Sequence, residues 1–130
     1  MRTILFGFAA SLCLSTAAFA GEEIMADYFG NTVIATSSLG ELKVRYKPDH
    51  TFTGRAEGPT GKYDIRGTWE FDANGNLCRK YETSGPGTDL PPGTPNPYCA
   101  PATAHKVGDS WTAADSTGRT AQVQLVAGRK

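Results

Sequence analysis

The sequence predicts a mainly β fold, a small antiparallel β-barrel or strongly curved sheet with a short N-terminal helix and one disulfide. Three observations predict it. Apolar and polar residues alternate with a period of two over residues 41–47 and again over 62–71, as strands with one buried face require. Turn residues punctuate these runs: Pro48-Asp49-His50 after the first, Asp72-Ala73-Asn74-Gly75-Asn76 after the second. Asn-Gly in the second supplies the positive φ angles of a tight hairpin. Finally, once an expected leader is removed, two cysteines remain, Cys78 and Cys99.

Residues 1–20 have the layout of a cleavable export signal. Arg2 gives the positive start, residues 4–18 form an uncharged apolar run, and Ala18-Phe19-Ala20 places small residues where the signal peptidase accepts them. The run is shorter than the ~20 residues that span a bilayer, so no transmembrane anchor is expected. Leu12 precedes Cys13 where a lipid-attachment site would have a small residue. The expected organisation is therefore a signal over 1–20 and a single β-rich domain over 21–130, periplasmic or secreted. With Arg2 removed, 12 Lys and Arg face 13 Asp and Glu. That balance lacks the concentrated basic face which nucleic acid or an anionic membrane would need.

In an oxidising compartment, an even pair of cysteines in a small domain reads as a disulfide. It would close the segment 79–98, whose glycines and prolines (Gly85, Gly87, Pro91, Pro92, Gly93, Pro95, Pro97) argue against helix or sheet. Closing a loop of this length removes about 3 kcal/mol of unfolded-state freedom. A metal pair or a redox pair is the alternative. Neither cysteine lies in a C-x-x-C, and no histidine stands at a ligand-like spacing, so no metal or cofactor is expected.

The helical signal lies at residues 22–29, where Ile24, Met25, Ala26 and Phe29 share a face and Gly30 follows as a stop. In 41–47, Leu42, Val44 and Tyr46 alternate with charged residues. A short strand over 51–55 follows the turn. Tyr63, Ile65, Gly67, Trp69 and Phe71 then point one way, and Lys62, Asp64, Arg66, Thr68 and Glu70 the other. Residues 77–82 return from the hairpin. Residues 110–114 and 120–127 make a last hairpin, with Ala121, Val123 and Leu125 inward. Six to eight short antiparallel strands with one polar face dispose of their exposed edges best by curling toward a barrel.

The order Phe29-Gly30-Asn31-Thr32, Tyr46-Lys47-Pro48-Asp49 with Thr51, Gly67-Thr68-Trp69, Asn74-Gly75-Asn76-Leu77-Cys78 and, after Cys99, Gly108-Asp109 resembles a group of small secreted, lipocalin-like proteobacterial proteins of unknown function. The resemblance covers residues 27–128. It implies a periplasmic or secreted β-domain with one disulfide and implies no reaction. One departure is His50, where that group more often has Gly after the Asp, which puts the geometry of that turn in question. Gly67-Thr68-Trp69 with nearby Cys78 is also similar to small periplasmic β-barrels that inhibit metalloproteases or lysozymes.

Catalysis needs a nucleophile, base or metal held in geometry. The histidines His50 and His105 sit in a turn and a loop, and no Gly-x-Ser-x-Gly, His-Glu-x-x-His or phosphate-loop pattern occurs. Asp64 and Glu70 stand roughly 20 Å apart along one strand face, beyond paired-carboxylate chemistry. No catalytic residue is assigned. The candidate ligand-binding residues are aromatic: Tyr46, Tyr63, Trp69 and Trp111, with Phe71 beside them, each rich in apolar area and all but Phe71 carrying a polar tip. Simple packing of a small barrel is the expected role, and a ligand cavity is the alternative. Lys43, Arg45, Lys62, Arg66, Arg79 and Lys80 are read as a solvated face interleaved with acids. The expected function is a non-enzymatic domain that binds a small molecule or an envelope protein. Inhibition of a protease or lysozyme through the N-terminal segment or the loop 83–97 is the second hypothesis, and an enzyme is the third.

Overall fold

The computed structural model describes residues 22–85, 89–114 and 118–129; the expected leader lies outside them. Eight strands form one sheet: β1 (Thr32–Ser37), β2 (Gly40–Tyr46), β3 (Thr51–Gly58), β4 (Gly61–Phe71), β5 (Asn76–Tyr81), β6 (Tyr98–Pro101), β7 (Ser110–Ala114) and β8 (Thr120–Val126). Their order is β6-β5-β4-β3-β2-β1-β8-β7 and every pairing is antiparallel. The sheet curls into a nearly closed barrel, with β6 and β7 as its two edge strands. Among the described residues no helix is long and apolar enough to cross a membrane.

Alternation within each strand sets what faces inward. Val44, Tyr46, Phe52, Ile65, Trp69, Tyr81 and Leu125 form the buried core with Met25 and Tyr28. Gly67 serves a close approach: a Cβ there would lie 1.9 Å from the Lys80 carbonyl oxygen and 3.0 Å from the Phe52 ring. Only the missing side chain lets β4 and β5 pack so tightly over Phe52.

The helix expected over 22–29 shrinks to a helical stretch at 22–24, continued by turns to Gly30. Its backbone bonds are mostly of the i→i−3 kind, Met25 to Glu22, Ala26 to Glu23 and Tyr28 to Met25, which wind more tightly than an α-helix. Docking explains the departure, because Met25 (0 % exposed) and Tyr28 are both sunk into the barrel floor. The segment is further tied down by Tyr28 Oη donating to the Thr103 carbonyl (3.0 Å). At its end, Thr32 Oγ1 donates to the Gly128 carbonyl (2.7 Å) and Asn31 Oδ1 accepts from Gly128 N.

Two turns depart from expectation in detail. In the β4–β5 hairpin only Gly75 takes a positive φ (81°); Asn74 does not. The Asp72 carboxylate instead organises the turn, accepting from the amides of Asn74 and Asn76. These bonds hold its pKa below the ordinary carboxylate range, the Asn76 amide first among them. In the β2–β3 turn His50 itself adopts φ 69°, the left-handed conformation that glycine favours. Its ring stacks on Trp69 (centroids 4.1 Å apart) and bonds Glu22 at 2.5 Å.

Cys78 and Cys99 are directly opposite in the β5–β6 ladder and are joined as a disulfide. The segment between them is less irregular than its composition predicts, since β5 continues to Tyr81 and β6 begins at Tyr98. Asn96 stands in for a strand beyond that point: its side-chain Oδ1 accepts from Tyr81 N and its Nδ2 donates to Tyr81 O.

Candidate functional site

The barrel is solid at one end and hollow at the other. At the floor, Trp69 (1 % exposed) is packed against Phe29, Tyr46, His50 and Phe71, and its Nε1 donates to the Lys47 carbonyl at 2.9 Å. Above this layer lies a cavity of about 730 Å³, within the range of small-molecule sites. All eight strands contribute to its wall, which includes Val33, Leu42, Ala56, Ile65, Leu77, Ala100, Ala113 and Val123. Residues Leu90 to Pro95 of the β5–β6 connection also line it, and Leu39, Pro59, Thr60 and Arg119 from three hairpin ends form its mouth. Leu39 is 56 % exposed there.

Of the four aromatic candidates, Tyr63 and Trp111 line the cavity. Tyr46 and Trp69 belong to the buried floor. The two readings open at the level of sequence, packing and cavity, therefore divide by height along the barrel. Tyr63 Oη donates to Thr60 Oγ1 (2.9 Å) in the β3–β4 turn. Trp111 carries the His105 ring stacked on it at 3.4 Å.

Arg79 stands out in this wall. Residue type groups it with Lys80 on the solvated face, but neighbours along a strand point to opposite faces. In β5, Leu77, Arg79 and Tyr81 face inward and line the cavity. Arg79 Nη1 donates to Tyr46 Oη (2.9 Å), Nε donates to Tyr81 Oη (3.1 Å), and its guanidinium carbon lies 4.8 Å from the Tyr98 ring centroid. Burial works against its charge, and the oxygens of Tyr46 and Tyr81 more than offset this, so its pKa stands above even the ordinary guanidinium value. No carboxylate pairs with it among the described residues. Arg79 is half-buried on the cavity wall, so its charge is met there by the two tyrosine oxygens and, among the described residues, by no carboxylate.

The other basic side chains of the expected solvated face behave differently. Arg66 pairs with Glu82 at 2.8 Å and Lys43 with Glu41 at 3.8 Å, and Arg55, on the same outer wall, pairs with Asp64 at 3.2 Å. Such exposed pairs contribute little to stability.

Neither histidine lines the cavity. Asp72, Cys78 and Cys99 form the one cluster of metal-type ligands among the described residues. Its sulfurs are tied up in the disulfide, and a metal would need thiolates. Buried among aromatic rings, Tyr28 has its hydroxyl pKa pushed up to about 12, with smaller contributions from Tyr46 and Asp109. Set against protein-family models, curated proteins and solved structures, the chain matches none of them.

Proposed function

We propose that this chain is a non-enzymatic binding domain that holds a small, largely apolar molecule inside its barrel. The observation that carries this is the cavity of about 730 Å³ walled by all eight strands. A barrel of this size normally fills its interior with side chains. This one instead places alanines at inward positions 35, 56, 100, 113 and 121, leaving space that apolar ligands fill favourably. Its floor of packed rings gives the cavity a rigid base.

The segments that would serve an inhibitor are engaged with the barrel. Met25 and Tyr28 are buried in the floor, and Leu90 to Pro95 face the cavity. Both facts favour a ligand over a protein target. The leader-like residues 1–20 and the disulfide support a periplasmic or secreted setting. The resemblance of the motifs to lipocalin-like proteins supports the same assignment.

Native mass spectrometry of the protein taken from its own host tests this, together with uptake of a neutral apolar dye by the stripped chain. The expected result is a retained small mass and saturable dye fluorescence. Bare polypeptide and no dye uptake would overturn it.

A further inference from the structure

We infer that the ligand is an amphipathic monoanion whose carboxylate sits against Arg79 at the bottom of the cavity, an inference that rests on the binding function proposed above. Among the described residues, four charged ones line the cavity: Glu41, Glu57, Arg119 and Arg79. The first three lie at or next to the hairpin ends that form the mouth. Arg79 alone lies deep, opposite Trp69 in the β4–β5 ladder and within hydrogen-bond reach of the floor residue Tyr46.

A guanidinium carries five N–H donors. Two are used, on the hydroxyls of Tyr46 and Tyr81, and no further acceptor for the group is found among the described residues. Each tyrosine oxygen accepts from Arg79, which leaves its own proton to donate. Arg79 and Tyr81, both on the cavity wall, thus keep three N–H donors, both of those on Nη2 among them, and an O–H for a ligand. That is the pattern which binds a carboxylate through two parallel hydrogen bonds. The Tyr98 ring covers one side of the guanidinium. A single positive charge suits a monoanion and leaves a dianionic phosphate half unneutralised.

The remaining wall asks for an apolar tail. Val33, Leu42, Ile65 and Trp111 line the cavity on the mouth side of this level. Along β4, the distance from Trp69, the cross-strand partner of Arg79, to Tyr63 is about 20 Å. The ligand lies head down, with its tail pointing to the exposed Leu39.

Displacement of neutral N-phenyl-1-naphthylamine from the full oxidised chain by decanoate, decanol and methyl decanoate at neutral pH tests the assignment. Decanoate is expected to compete at about tenfold lower concentration than the other two, or better. Arg79→Gln is expected to erase that advantage, so that decanoate competes no better than decanol, and Arg79→Lys to restore part of it. Equal competition by all three in the native chain, or a decanoate advantage that survives Arg79→Gln, would overturn the inference while the dye-binding cavity stands. Failure of the native chain to bind the dye or any competitor would remove both the cavity function and this inference. If circular dichroism shows Arg79→Gln unfolded, the comparison of the three competitors on the native chain decides.

Discussion

Arg79 and Tyr98 face each other across the β5–β6 ladder, and the next pair in that ladder is Cys78 and Cys99. The disulfide and the cation–ring contact therefore act side by side to hold β6, an edge strand of four residues with a single strand neighbour. Reduction should loosen that edge. At about 3 kcal/mol for the closed loop, the melting temperature is expected to fall by about 10 °C. Thermal melts followed by circular dichroism, with and without reductant, check this. Coincident curves would show that β6 holds without the bridge.

Trp69 is the keystone of the floor. It touches rings from the N-terminal segment, β2, β4 and the β2–β3 turn, and it satisfies the Lys47 carbonyl. Trp69→Ala is expected to cost about 3–5 kcal/mol, much of the total stability of a small domain. Trp69→Phe keeps most of the packing but orphans the carbonyl, and should cost about 2 kcal/mol. Urea unfolding of the two variants should show that order. Equal, small losses would mean that the floor repacks around the gap.

Much of the fold is legible in the residue pattern. The alternation at Leu42, Val44 and Tyr46, and at Tyr63 through Phe71, is strong because charged residues, with Thr68 as the one uncharged exception, fill every second position. β6 was not legible. It is four residues long, with Pro97 before it and Pro101 as its last residue, and its pairing is enforced by Cys78 rather than by propensity. The helix expected over 22–29 yields to docking, since burying Met25 and Tyr28 together outweighs a regular i→i−4 ladder. The position of Arg79 was available from parity alone: Leu77 and Tyr81 share its face, while Cys78 and Lys80 share the other. Counting it with Lys80 followed residue type and ignored the period. What pattern cannot show is height along the barrel. Tyr46 and Trp69 differ from Tyr63 and Trp111 by their level on the strands, and that level separates floor from cavity.

Alkaline pH should expose the cost of ionising Tyr28. Its pKa is raised in the folded chain, from 10.0 to about 12, chiefly by burial. The neutral phenol is therefore the form the fold favours. Its contribution is fully present below pH 10 and is lost as pH rises toward 12, on the order of 2 kcal/mol in total. Tyr28→Phe removes the ionisable group. Its stability should fall less steeply across that window, while at neutral pH it loses about 1 kcal/mol with the bond to Thr103. Urea midpoints across the pH range test this, and parallel curves for the two proteins would refute it.

Filling the cavity separates ligand binding from folding. Ala56 lies on β3 between Leu42 and Tyr63, its register partners on either side, and it faces the cavity. The space there admits a larger side chain without the clash that overpacking brings to a filled core. Ala56→Phe should therefore keep the native circular dichroism and melt no lower than the parent, since added apolar surface is buried in place of empty space. The same ring occupies the path between Arg79 and the mouth, so uptake of neutral dye should fall by about tenfold or more, since a loss of about 1.4 kcal/mol suffices for that. Stability held with dye binding lost would tie the binding to the barrel interior. Dye binding held at full strength in a folded Ala56→Phe chain would place the dye elsewhere on the molecule.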